Sequence, residues 1–153
     1  MLSIEALVAL TDPKVKVTAR RYKLSKIHDV IDTGWTRYEA YVYGGTKTAK
    51  SSLKFKEKSK DSPVFCVCSC TYFTMNCETV LAMHGNAAPV KAAGVLPMKR
   101  NAKMKPCLCP HLYSMALTLL NKWGLEEKAA LEDESTSAEK TQSRVNSKLR
   151  VNK

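Results

Sequence analysis

The sequence predicts an α+β fold: a small antiparallel sheet or hairpin and two helices around a zinc site, followed by an extended C-terminal tail. Three observations lead there. All six cysteines of the 153-residue chain lie from Cys66 to Cys109, and Cys68-Ser-Cys70 with Cys109-Pro-His111 offers four donors to one ion. Residues 35–56 carry aromatic and β-branched runs on either side of Gly44-Gly45, a hairpin signal. Apolar stripes at helical spacing occupy 71–85 and 110–123.

The totals narrow the partners. Lysine and arginine number 25 against 14 acids, a formal net charge of +11. That excess favours nucleic acid, an anionic surface or an acidic neighbouring subunit. No stretch reaches the roughly 20 apolar residues that span a bilayer. The start, MLSIEALVALTDPK, has an acid inside its apolar run and no basic head, so export is not expected. In a reducing compartment, clustered cysteines point to metal before disulfides.

Along the chain, residues 1–13 are expected to form an N-terminal arm, a short helix or strand ended by Asp12-Pro13. A zinc-stapled domain then covers 14–123. Lys14 to Tyr22 alternates charged and apolar residues at period two, which predicts a half-buried strand. The hairpin about Gly44-Gly45 follows, with Lys47, Lys50, Lys54, Lys56, Lys58 and Lys60 facing solvent. Val64 to Cys70 supplies a third strand. Phe73, Cys77, Val80, Leu81 and His84 mark one face of a helix over 71–85, with Gly85 as its C′ residue. Residues 86–106 are a long basic connection with three prolines and no acid, a length that suggests binding or assembly. Pro110 suits the first turn of a last helix, striped by Leu112, Met115, Ala116, Leu119, Leu120 and Trp123. Residues 124–153 form a polar arm, acids first and bases last, disordered unless docked on a partner.

Cys68, Cys70, Cys109 and His111 are read as four zinc ligands. All four positions are then filled by protein atoms, no place is left for a water, and the site is structural. Binding would tie together elements far apart in sequence and supply much of the folding free energy of a small domain. Other readings stay open. Cys66, Cys77 and Cys107 are possible additional ligands or thiols, and with the others they allow an iron–sulfur cluster, although the ferredoxin C-x₂-C-x₂-C run is missing. A Cys66–Cys107 disulfide is a further option, and so are plain packing thiols. His84 is a candidate replacement ligand or a satisfied rim residue, and His28 is a surface residue. No nucleophile elbow, Walker loop, dinucleotide fingerprint or H-E-x-x-H is present, and Glu39 and Glu78 show no sign of pairing. A non-enzymatic protein without a small-molecule substrate is expected.

At Cys68-Ser-Cys70 and Cys109-Pro-His111 the chain resembles the SWIM-type zinc finger, C-x-C followed after a spacer by C-x-H. It is similar in particular to small SWIM-like proteins of tailed bacteriophages with a long spacer. The matching residues are Cys68, Ser69, Cys70, Phe73, Glu78, Leu81, Gly85, Gly94, Pro97, Asn101, Pro106, Cys109, His111 and Leu112, spread over about a third of the chain. Pro110 stands where the pattern has lysine and Ala102 where it has proline; neither removes a ligand. Cys66 and Cys107 lie outside the pattern. The resemblance implies a minor virion component, assembled in the host cytoplasm in a tail, baseplate or head-neck structure. Its partners would be neighbouring virion proteins in multiple copies, with no membrane involved. The alternative is a basic nucleic-acid-binding module, with Lys91, Lys99, Arg100, Lys103 and Lys105 on phosphates and Trp35, Tyr38, Tyr41 and Tyr43 for stacking. A thiol redox protein is the third possibility.

Overall fold

A computed structural model describes residues 1–44, 47–88 and 101–124. Two short helices open the chain. Helix α1 (Ile4–Leu10) is capped by the Ser3 hydroxyl, which accepts from the Ala6 N–H. Helix α2 (Pro13–Ala19) is capped by Asp12, with Pro13 at its first position. Residues 14–22 are thus mainly helical, not a strand. Val15, Val17 and Ala19 satisfy period two, yet Val15 and Ala19 also lie one helical turn apart and are the buried pair, while Val17 is 55% exposed. The Asp-Pro start supplies the cap and fixes φ, and this decides an ambiguous pattern.

Five strands follow: β1 (Lys23–Leu24), β2 (His28–Asp32), β3 (Trp35–Gly44), β4 (Lys47–Phe55) and β5 (Val64–Cys68). They form one antiparallel sheet in the order β1-β3-β4-β5, with β2 also paired to β3. The expected hairpin is present, with Gly44 opposite Lys47; residues 45–46 of its turn lie outside the described residues. Strand β2 has no counterpart among the expected elements. It returns into β3 through Thr33-Gly34, whose φ values of 42 and 80 suit a type I′ turn. Every residue of β2 is exposed, so no alternation marks it in the sequence.

One face of the sheet is apolar: Tyr38, Ala40, Val42, Ala49, Leu53, Phe55, Val64 and Cys66 are buried. The core also takes Ile4 and Leu7 from α1, although residues 1–13 read as an arm in the sequence. Helix α3 covers 71–83, with a π-helical stretch at Phe73–Cys77 and α-helical turns at Glu78–Met83. It ends in a Schellman motif: Gly85, at φ 75, donates to the Ala82 carbonyl and Asn86 to that of Leu81. Helix α4 begins at 110 and is helical through 124, and Leu112, Met115, Ala116 and Leu119 are buried in the core. The chain divides into two units, Met1–Leu120 and Asn121–Lys153; of the second, 121–124 belong to the described residues. Among the described residues four helices thus accompany the sheet where two were expected, and the class is α+β. Among the described residues, no helix is long and apolar enough to cross a membrane.

Asn86 joins three parts of this fold. It is fully buried; its amide nitrogen donates to the Leu2 and Val64 carbonyls at 2.8 and 2.7 Å, and its Oδ1 accepts from the Leu2 N–H at 2.9 Å. Its own carbonyl accepts from the Cys66 N–H at 2.7 Å. The N-terminus, β5 and the end of α3 are held by one side chain.

Candidate metal centre

Cys68 is the last residue of β5, and Cys70 immediately precedes α3. Cys109 immediately precedes α4, and His111 lies in the first turn of α4. The Sγ atoms of the three cysteines and a ring nitrogen of His111 all lie within 4.8 Å of one another. Cys68, Cys109 and His111 are buried, and Cys70 is half-buried.

The backbone places these sulfurs. Cys70 Sγ accepts from the Phe73 N–H at 3.3 Å, and Cys109 Sγ accepts from the Leu112 N–H at 3.5 Å. Each cysteine occupies the position of a helix N-cap, with sulfur where a hydroxyl or carboxylate oxygen usually stands. Between Cys68 and Cys70, Ser69 extends the β4–β5 ladder. Its N–H donates to the Lys50 carbonyl and its Oγ accepts from the Lys50 N–H, both at 3.0 Å. Ser51, opposite Cys68 in the register, brings its Oγ to 3.4 Å from the Cys68 sulfur. Thr11 fixes the approach to Cys109, donating to the Leu7 carbonyl at 2.7 Å and accepting from the Leu108 N–H at 3.0 Å.

The protons of this group follow from its crowding. Contacts from the Cys109 and Cys70 thiols hold Cys68 far below the usual thiol range. Burial, then the neighbouring Cys68 and Cys70 sulfurs, push Cys109 well above it. Burial alone would lower His111, but the facing Cys68 and Cys70 sulfurs outweigh it and raise its pKa to about 9. Both ring nitrogens of His111 are buried without a hydrogen-bond partner. An imidazole so placed bears a desolvation cost that a metal ion bound to one nitrogen would offset. The donors therefore fit a cation.

Because Cys109 and His111 are both raised, each is expected to give up a proton when a metal ion binds, so lowering the pH weakens binding, by about 10-fold per unit for each proton displaced. Competition against a chromophoric chelator at several pH values measures this; an affinity independent of pH would contradict it.

The ring of Tyr22 packs on His111 with centroids 4.8 Å apart. Behind it lies Gly44, where an added Cβ would fall well inside contact distance of the Tyr22 ring. Gly44→Ala is expected to push Tyr22 off His111 and destabilise the fold by about 1–3 kcal/mol, read by denaturant unfolding. An unchanged midpoint would show that the ring moves freely.

The remaining candidates lie elsewhere. Cys66 is fully buried on the inner face of β5, where burial raises its pKa. Cys77 and Cys107 meet each other, outside the four-residue group. His84 is the C-cap of α3 and is exposed beside Met83, itself 72% exposed, so it leaves the apolar face on which the spacing put it. His28 is exposed on β2. The four-residue group brings together three thiols and an imidazole, not the four thiolates of a common iron–sulfur site. Lys103 and Lys105 are exposed; Lys91, Lys99 and Arg100 lie outside the described residues. Tyr38 is buried in the core, while Trp35, Tyr41 and Tyr43 take the opposite face.

Three neighbours of the site escape sequence reasoning. Ser51 has a signal: the inward positions of β4 read Ala49, Ser51, Leu53, Phe55, so a lone hydroxyl enters the apolar face. Tyr22 and Thr11 have none, because their partners lie about ninety residues downstream. Compared with known family models, curated proteins and solved structures, the chain matches none.

Proposed function

We propose that this is a non-enzymatic, zinc-stapled structural protein that acts through protein–protein contacts as a component of a tailed-phage virion. The observation that carries the proposal is the closed set of Cys68, Cys70, Cys109 and His111. Zinc takes thiolate and imidazole donors at about 2.0–2.3 Å in a tetrahedron, which puts the donors about 3.3–3.8 Å apart. A set already within 4.8 Å needs little movement to reach that. With four protein donors no coordination position remains for a water, and a zinc of this kind organises a fold instead of activating a nucleophile. Glu39 is turned to the outer face of the sheet, where it pairs with Arg37 and Lys50, so it is no base for the site. What the ion ties together is the β5–α3 junction and the start of α4.

The virion assignment rests on the resemblance at Cys68-Ser-Cys70 through Leu112 and on a net charge of +11 suited to acidic neighbours. Quantitative mass spectrometry of purified particles of the phage that encodes it is the test. A fixed copy number per particle supports the reading; absence from the particle contradicts it.

One observation favours nucleic-acid binding as the second reading. Trp35, Tyr41 and Tyr43 share the outer face of β3 with Arg37, next to Lys50 and Lys54 of β4. Lys54 and Lys56 stand 5.8 and 5.4 Å from the Trp35 ring centroid. Against it, Arg37 and Lys50 pair with Glu39, and Lys54 pairs with Asp32 at 3.4 Å, which reduces the charge offered to phosphates. Fluorescence anisotropy with single-stranded DNA separates the two. A salt slope of several favours nucleic acid, whereas no binding at about 100 mM salt leaves the structural reading alone.

A further inference from the structure

We propose that Cys77 and Cys107 form a second thiol site, separate from the metal ligands, that closes to an intramolecular disulfide by exchange with a low-molecular-weight disulfide. Their Sγ atoms are 3.1 Å apart, and neither belongs to the four-residue metal group. The two arrive from different elements, Cys77 from the π-helical stretch of α3 and Cys107 from the segment that leads into α4. Insertions of π-helix into α-helices are often found at functional sites.

A polar frame holds the pair together. Asn101 donates through Nδ2 to the Asn76 and Lys105 carbonyls at 2.8 and 2.9 Å, and its Oδ1 accepts from the Lys105 N–H at 3.1 Å. This pins the turn before Cys107 to the residue before Cys77. The Cys107 thiol also lies 3.6 Å from the Asn76 carbonyl, as donor. Accessibility then divides the roles. Cys77 is fully buried, whereas Cys107 is half-buried and lines a cavity of about 460 Å³ together with Tyr72, Asn76 and Asn101. An attacking thiol must reach its disulfide, and a resolving thiol must reach the first. Cys107 is the attacking thiol and Cys77 the resolving one.

The exchange balances without a metal. Cys107 Sγ, after losing its proton to solvent, attacks one sulfur of R–S–S–R. The external S–S bond breaks and RS⁻ leaves, taking a proton to become RSH. Cys77, deprotonated in turn, attacks the Cys107 sulfur of the mixed disulfide and expels the second RS⁻, which also becomes RSH. The two protein thiols give up two protons and two electrons, and the external disulfide is reduced to two thiols. The product links α3 covalently to the segment just before Cys109, a second fastening of the parts that the metal joins.

The test uses the full chain as purified, incubated with oxidised glutathione, then alkylated in denaturant and digested without reduction for mass spectrometry. The expected product joins the peptides of Cys77 and Cys107, with Cys68, Cys70 and Cys109 alkylated and the metal content unchanged. In Cys77→Ser, glutathione is expected to stay on Cys107, since no resolving thiol remains. Alkylation of both thiols in the parent chain would overturn the proposal, and so would cross-links through Cys66 or through the ligand cysteines. Metal content measured on the same samples shows separately whether the zinc reading holds.

Discussion

Cys109→Ser, like removal of the ion by a strong chelator, is expected to abolish the cooperative unfolding transition of the domain. Structural zinc in small domains contributes about 10–16 kcal/mol of binding free energy that is also folding free energy. A domain of this size has a net stability of about 5–15 kcal/mol, so losing the ion removes an amount comparable to the whole. The local reason is specific. Without the metal, His111 is a buried ring with no hydrogen-bond partner, and three sulfurs crowd beside it. His111→Ala is expected to behave like Cys109→Ser. Cys66→Ala is the informative contrast, because Cys66 is equally buried but lies outside the group. Its expected cost is about 1–2 kcal/mol, that of a small cavity. Thermal unfolding followed by circular dichroism compares the three; a Cys109→Ser protein that melts like Cys66→Ala would contradict the staple.

Asn86→Ala is expected to destabilise the fold by about 3–5 kcal/mol, the largest effect away from the metal. The substitution deletes three hydrogen bonds and leaves the buried Val64 carbonyl without the amide that faces it. A lost hydrogen bond is worth about 1 kcal/mol, and a buried group left unsatisfied costs about 1–3 kcal/mol more. Asn86→Asp is expected to be worse despite its matching shape. It places a carboxylate oxygen against the Leu2 and Val64 carbonyls where the amide now donates to both. Chemical denaturation measures both variants. A loss below about 1 kcal/mol for Asn86→Ala would show that water replaces the amide.

The contrast between these two sites shows what the sequence makes legible. The four donors sit in two short motifs, and a cysteine next to the start of a helix is a local feature. Cys68-Ser-Cys70 at a strand–helix junction and Cys109-Pro-His111 at a helix start are therefore legible from neighbouring residues alone. The β3–β4 hairpin is readable for the same reason, since Gly44-Gly45 interrupts two β-rich runs. Asn86 is invisible, because it follows a helix-ending glycine, a common place for a polar residue, while its partner Leu2 is 84 residues away. Strand β2 lacks a signal because it buries neither face. At α2 the period-two and helical patterns coincide on Val15 and Ala19, and only the Asp12-Pro13 start separates them. His84 misleads because spacing assigns a residue to a helix face but does not show where the helix runs out of core.

The most direct measurement of the central claim is elemental mass spectrometry on protein purified without chelator. One zinc per chain is expected, lost in both Cys68→Ser and His111→Ala. Iron with sulfide, or no metal with Cys68, Cys70 and Cys109 paired or free, would contradict the zinc staple.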